Sequence, residues 1–250
     1  MSEKKAVIVE LFSSIQGEGP YVGLRQVFLR FHGCNLECAF CDTNINDTHP
    51  VCRVEGTPGR RDFFETPNPV SLPRVLSHLE RWDRGWPGIH HSISITGGEP
   101  LLNHVLLEEW LPQLRNIFPI YLETNGILHL ALARIIDFID FISMDIKLPS
   151  TSGSTDLWKQ HEEFLKVASQ RELFVKVVVS DDTEDWEIER SCKIVSDVDS
   201  GIRVILQPVT LENGRVGISP IRCLDLHEVA CRYLKEVRII PQTHKFTGQI

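Results

Sequence analysis

Cys34, Cys38 and Cys41 stand in the spacing C-x3-C-x2-C, directly after the hydrophobic run Gln26 to Phe31 and with aromatic Phe40 before the last thiol. Three thiolates at this spacing read as an iron–sulfur site. A cube normally takes four thiolates, so three leave one iron without a protein ligand and open to a small molecule. That iron is where chemistry would occur. Zinc is the competing reading, because His32 and His49 flank the loop and could complete a Cys3His site. Structural zinc sites are closed by four ligands, commonly two pairs at short spacing, and no second pair is near. An odd set of three close cysteines argues against a disulfide.

Elements must place this loop, and the chain alternates two kinds of pattern. Short β-rich runs cover Gln26 to Phe31, Ser92 to Ile95, Ile120 to Leu122, Phe138 to Ser143, Phe174 to Val179, Ile202 to Leu206 and Val237 to Ile240. Between them, Leu72 to Trp82, His104 to Ile117, Leu128 to Ile136, Leu157 to Ala168, Trp186 to Val195 and Leu224 to Leu234 carry apolar residues at helical spacing. This predicts an α/β protein with a parallel sheet and helical crossovers, either doubly wound or barrel-like. Runs such as Phe174 to Val179 and Ile202 to Leu206 are apolar almost throughout, as for strands buried on both faces.

In parallel α/β folds, ligands bind at the carboxyl ends of the strands. The residues expected there are polar and glycine-rich. They are the cysteine loop, Thr96-Gly97-Gly98-Glu99-Pro100, Glu123-Thr124-Asn125-Gly126, Ser143-Met144-Asp145-Ile146-Lys147 and Gln207-Pro208. One stretch breaks the pattern: 44–69 has four prolines, two glycines, Arg60-Arg61 and no strong period, and reads as a long insertion.

The 250 residues, 42% hydrophobic and 24% charged, fit a soluble globular protein. A net charge of −8 argues against broad binding to nucleic acid or to anionic lipid. No apolar run approaches the roughly 20 residues of a membrane span, and the N-terminus lacks a secretory pattern, so a cytoplasmic location is expected. The thiols should then be reduced, with Cys52, Cys192, Cys223 and Cys231 as small buried or surface groups.

The cysteine motif with its aromatic neighbour, followed by Gly97-Gly98-Glu99-Pro100, resembles the radical S-adenosylmethionine (SAM) superfamily. Within it, Ile15-Gln16-Gly17-Glu18-Gly19, Cys41-Asp42-Thr43, Thr96 and Pro241-Gln242-Thr243-His244-Lys245 resemble the 7-carboxy-7-deazaguanine synthase family nearly end to end. The resemblance implies a partial (β/α)6-type barrel. It also implies one radical SAM domain over 1–250, with a substrate-binding segment 10–24, an insertion 44–70 and a closing segment 236–250. The implied reaction is the ring contraction of 6-carboxy-5,6,7,8-tetrahydropterin to 7-carboxy-7-deazaguanine with loss of ammonia, in queuosine and deazapurine biosynthesis. Hydrogen would be abstracted at substrate C6 and later returned, with SAM reformed.

The same resemblance assigns roles to residues. Cys34, Cys38 and Cys41 would hold a 4Fe-4S cluster, and Thr43 would ligate Mg2+, a hard cation that takes oxygen donors. Phe40, Asp42, Gly98, Glu99, Ser143, Asp145, Lys147 and Gln207 would bind SAM, with the Glu99 carboxylate accepting from its ammonium. Ile15, Gln16, Gly17 and Glu18 would meet the pterin edge, Arg30 would pair with the substrate carboxylate, Thr96 would sit between SAM and substrate, and Pro241 and His244 would close the pocket. The implied partners are a second copy of the chain in a homodimer and an electron donor such as flavodoxin, for which Arg60 and Arg61 are a candidate basic spot. Two readings from other classes are a radical SAM activase acting on a partner protein and a zinc-binding interaction module; the Ile15 to Gly19 segment argues against the first.

Overall fold

The computed structural model describes residues 4–39, 41, 47–153, 156–211 and 213–249. In chain order, the strands β1 (Lys5–Ala6), β2 (Ile8–Ile15), β3 (Arg25–Phe31), β4 (Val51–Glu55), β5 (Phe63–Pro67) and β6 (Val70–Ser71) precede the first helix, α1 (Leu72–Gly85). Alternation follows: β7 (Ser92–Gly97), α2 (His104–Arg115), β8 (Ile120–Thr124), α3 (His129–Ile135), β9 (Phe141–Ile146), α4 (Pro149–Ser152), α5 (Trp158–Ala168), β10 (Glu172–Val179), α6 (Asp185–Asp199), β11 (Arg203–Pro208), α7 (Pro220–Cys231), β12 (Val237–Ile239) and α8 (Thr243–Thr247).

Ten strands form one sheet in the order β12-β11-β10-β9-β8-β7-β3-β2-β4-β5. From β12 to β3 every neighbour is parallel, as the alternating pattern predicts. Beyond β3 the sheet turns mixed, since β2 runs antiparallel to β3 and β4 and β5 form an antiparallel pair at the edge. The supposed insertion therefore contains a hairpin of the sheet. Its prolines sit where a strand tolerates them: Pro67 ends edge strand β5 and Pro69 follows a cis bond. Arg61 is tied down there, its N–H donating to Glu55 Oε1 at 2.7 Å and its guanidinium to the Gly248 carbonyl.

Side-chain alternation decides which face carries chemistry. Leu29, Ile93, Ile95, Leu122, Ile142, Met144, Val175, Val177, Val204 and Leu206 join one apolar core with the buried residues of α1, α2, α3, α5, α6 and α7, including Leu79, Trp110, Leu132, Phe164, Ile188 and Leu226. The helices thus cover one face of the sheet, as in an opened barrel. The other face is not an apolar core at its upper end. There the register aligns Arg30 with Thr96, Glu123 with Ser143, Asp145 with Lys176, and Val178 with Gln207. Lower on that face, Tyr121, Phe174 and Ile205 form a separate apolar cluster. The expectation that Phe174 to Val179 is apolar on both faces fails at one residue, Lys176.

Strand β9 begins and ends three residues later than its sequence pattern suggests, because Ile136–Phe138 closes a 3-10 turn. Ser143 and Asp145 consequently lie inside the strand. Helix starts follow local chemistry: Glu184 and Glu187 form a capping box on α6, and the Ser219 hydroxyl caps α7.

Leu29 is fully buried in the strand that leads to the cysteine loop and is flanked by β2 and β7. Leu29→Ala should lower unfolding free energy by about 2–5 kcal/mol in urea melts followed by circular dichroism. A loss under about 1 kcal/mol would show that this strand is not the keystone of the core.

Candidate functional site

A cavity of about 240 Å³ opens at the carboxyl ends of the parallel strands, and all three motif cysteines line it. Cys34 and Cys38 are half-buried and Cys41 is exposed. Burial pushes the Cys34 and Cys38 thiols up, and the neighbouring thiols add to this. Among the described residues no three His, Cys, Asp or Glu side chains converge on a single-ion site. His32 and His49 pack ring to ring with centroids 4.8 Å apart and do not line the cavity. Phe40, Asp42 and Thr43 lie outside the described residues.

The loop is fixed by the turn after β7. Gly98 N–H donates to the Phe31 carbonyl at 3.4 Å, and Glu99 N–H donates to that of Gly33 at 2.8 Å. A Cβ on Gly98 would stand 2.2 Å from the Gly33 oxygen and 2.8 Å from Cys34 Cβ, so the close approach needs glycine. Glu99 lies behind this turn. It is fully buried and does not line the cavity; its carboxylate accepts from Leu101 N–H at 3.0 Å, Asn125 N–H at 2.7 Å and the Thr124 hydroxyl at 3.0 Å. Burial pushes its carboxyl up to about 7 against those bonds. Glu99 therefore joins three strand ends, and it is the adjacent Gly97 and Gly98 that reach the cavity.

Ser143, Asp145, Lys147 and Gln207 line the cavity as expected, together with Asn125 and Thr210. Gln207 Oε1, Asn125 Oδ1 and Thr210 Oγ are buried without a partner among the described residues, so polar atoms of this wall await a ligand. His161 aligns two of its loops: one ring nitrogen sits 3.0 Å from the Gly126 carbonyl and the other accepts from Lys147 N–H at 3.1 Å. That tautomer is the neutral one, and burial lowers the ring's pKa to about 4.

Another part of the lining holds Ile15, Gln16, Gly17, Glu18, Arg30, Thr96 and His244. Gln16 donates to Glu123 Oε1 at 2.9 Å and accepts from Glu18 N–H at 3.0 Å, while Thr96 donates to Glu123 Oε2 at 2.9 Å. Arg30 uses Nε on Glu10 at 2.9 Å. The C-terminal segment crosses this wall: Thr243 donates to the Gly17 carbonyl at 2.8 Å, and a Cβ on Gly17 would meet the His244 ring at 2.1 Å. Pro241 is not part of the lining.

Sequence reasoning gave no role of their own to Glu123, Lys176 and Gln242, all on the cavity. Glu123 was signalled by its place at a strand end, and Lys176 by being a charge within an apolar run. Glu18 bonds to the Lys176 ammonium and accepts from Gln242 at 2.7 Å; Lys176 also pairs with Asp145 at 3.1 Å, which pairs with Lys147 at 2.7 Å. Burial alone would raise the Glu18 carboxyl, but Lys176, Gln242 and the His244 charge together hold it at about 2. Burial alone would lower the Lys176 pKa, and Asp145, Glu18 and Glu123 together hold it well above the ordinary lysine range.

A model of the radical SAM superfamily matches residues 28–190. The chain is 58% identical over 250 residues, covering all of both chains, to the 7-carboxy-7-deazaguanine synthase of Geobacter sulfurreducens. It is 30% identical to that of Methanocaldococcus jannaschii, over 98% of this chain and 100% of the other. Among solved structures, QueE from Escherichia coli superposes with a TM-score of 0.57 at 21% identity, covering 96% and 95% of the two chains. A radical SAM methyltransferase from Sphaerobacter thermophilus gives 0.56 at 14% identity, over 86% of this chain and 66% of the other. At these identities the two structures speak for the fold.

Gly98→Ala should push the Gly33–Cys34 backbone aside without unfolding the sheet. The expected outcome is native far-ultraviolet circular dichroism with iron and sulfide per chain reduced at least severalfold after anaerobic reconstitution. Full loading would show that the close approach is dispensable.

Proposed function

We propose, for a chain that belongs to the radical SAM superfamily and within it to the 7-carboxy-7-deazaguanine synthase family, that the cavity converts 6-carboxy-5,6,7,8-tetrahydropterin to 7-carboxy-7-deazaguanine with loss of ammonia. One observation carries the reading: the three motif cysteines and a set of donors and acceptors suited to a carboxylated pterin line one cavity. The family requires a 4Fe-4S cluster and SAM. The residues present fit both groups, since three thiols share a wall and the polar atoms left unpaired beside them belong to a ligand surface. When bound, these groups supply a 5′-deoxyadenosyl radical by one-electron cleavage of SAM.

The chain's own residues account for binding and orientation. Cys34, Cys38 and Cys41 hold the cluster, and Gln207, Thr210, Asn125 and Ser143 offer hydrogen bonds to the ribose and carboxylate of SAM. Arg30 is steadied through Nε by Glu10, which leaves its terminal nitrogens to grip the substrate carboxylate. Glu18 and the backbone around Gln16 accept from the guanidine-like edge of the ring. Thr96 has its hydroxyl proton committed to Glu123, so its oxygen presents lone pairs to whatever lies beside it. The Gln242–His244 segment covers the Glu18 side and limits entry of water.

Mg2+ held by Thr43, pairing of two copies, a flavodoxin-like donor and a cytoplasmic setting belong to this proposal through the family resemblance. No helix among the described residues is long and apolar enough to cross a membrane.

Anaerobic turnover of the reconstituted protein with the tetrahydropterin, SAM, dithionite and magnesium should yield 7-carboxy-7-deazaguanine by mass spectrometry, and Cys38→Ala should yield none. SAM cleavage without that product would reassign the substrate, and a fully loaded cluster that leaves SAM intact would overturn the reading. Arg30→Met should raise KM about 10- to 100-fold, the cost of a charged hydrogen-bonded pair, with a smaller effect on kcat. An unchanged KM would remove Arg30 from the substrate carboxylate.

A further inference from the structure

Lys176 stands where three carboxylates meet. Its ammonium pairs with Glu18 and with Asp145 Oδ1 at 3.1 Å, and the Glu123 charge acts on it as well. The side chain is nearly inaccessible, in a strand whose other inward residues are apolar. A buried charge of this kind is expensive unless its surroundings repay it. The reading below rests on the cavity taking a pterin.

The lone pairs of Glu18 show what the arrangement does. An ionised carboxylate offers about four acceptor positions, two on each oxygen. Lys176 uses one on Oε2, and Gln242 uses one on Oε1 at 2.7 Å. One remains on each oxygen, and Glu18 lines the cavity. Two parallel acceptors side by side match two adjacent N–H donors, such as a ring N–H beside an exocyclic amine. A protonated or rotated Glu18 loses that fork.

We propose that Lys176 is a positioning residue for substrate recognition: by fixing Glu18 as an oriented anion, it makes the cavity select rings that present an N–H and an adjacent amino group. Lys176 does not touch the substrate in this arrangement. It acts through Glu18, and with Gln242 it sets both the charge and the angle of the acceptor pair.

The groups facing Glu18 give the sign of its pH dependence. Lys176 on β10 and Gln242 and His244 of the C-terminal segment act on it directly, Tyr121 on β8 feels its charge, and Asp145 on β9 and Glu123 on β8 act on Lys176. With Lys176 present, Glu18 is held at about 2 and stays ionised across pH 5–8.5. Without it, burial is left to push the carboxyl upward, so binding should be lost as pH falls through the raised value. A charge on His244 favours the anion and so opposes that loss.

The test uses cluster-loaded protein with SAM under anaerobic conditions. Binding of 6-carboxypterin is followed by its fluorescence, beside 6-carboxylumazine, in which oxygen replaces the 2-amino group. Wild type should favour the pterin about tenfold or more, the worth of a hydrogen bond to a charged group, with a flat pH profile. Lys176→Met should bind the pterin about tenfold more weakly at pH 6, recover towards pH 8.5, and discriminate poorly between the two rings. Lys176→Arg, which keeps the charge, should stay within about threefold of wild type at pH 6. Equal weakening of both ligands with no acid-side limb would make Lys176 a structural residue and overturn the proposal. Should Lys176→Met fail to fold by circular dichroism, Glu18→Gln must lose the same discrimination, and its retention would overturn the proposal. A wild-type protein that binds neither ring but still cleaves SAM would instead overturn the pterin reading on which this one stands.

Discussion

The buried carboxylate of Glu99 is the interaction on which the site depends. Its side chain accepts from Leu101, Thr124 and Asn125, while its own N–H donates to Gly33 at the root of the cysteine loop. Three strand ends that share no covalent neighbour are thereby brought to one point. The loop that presents Cys34 is tied to this junction by that backbone bond and by Asn125, whose side-chain N–H donates to Asn35 Oδ1 at 2.8 Å. A carboxylate can do this because it takes several donors at once, and burial makes each of them count.

From that junction the site divides into a thiol side and a charged side. The thiols occupy the loop after β3, with Gly98 close against its backbone. Along the lining from Cys38, Lys147, Asp145, Lys176 and Glu18 alternate in sign. A chain with net charge −8 buries this series with each carboxylate beside an ammonium. Such a series adds little to stability compared with an apolar filling, since desolvation offsets the attraction. Its value lies in holding acceptors at fixed angles where a polar ligand enters. The C-terminal segment completes this wall by bonding back to Gly17 and Glu18, so residues from both ends of the chain face one cavity.

The parallel strands were legible because β/α alternation leaves a strong pattern: short apolar runs separated by helical periods, each followed by glycine and polar residues. The edge of the sheet was not. Strand β2 reads Ile8 to Ile15 with Glu10, Ser13 and Ser14 inside it, and all three are buried through partners far along the chain. Ser13 meets Glu55 and His90, and Glu10 meets Arg30. Nothing local announces such partners. The β4–β5 hairpin was obscured in the same way by prolines that an edge strand tolerates.

By itself, the sequence determined that three thiols lie on one loop, that a Gly-Gly turn follows the next parallel strand, and that the polar segments sit at strand ends. These are short-range matters of spacing and backbone freedom, and they carry the likeness to the radical SAM superfamily, while the likeness to one family within it rests on segments such as Ile15 to Gly19 and Pro241 to Lys245. Only the tertiary structure decided that Glu99 is a clamp rather than a cavity wall, that the helices cover a single face of the sheet, and that Lys176 is the centre of three carboxylates. Each of these depends on which residues become neighbours across strands, and a side chain's charge, orientation and accessibility are set by those neighbours rather than by its place in the chain.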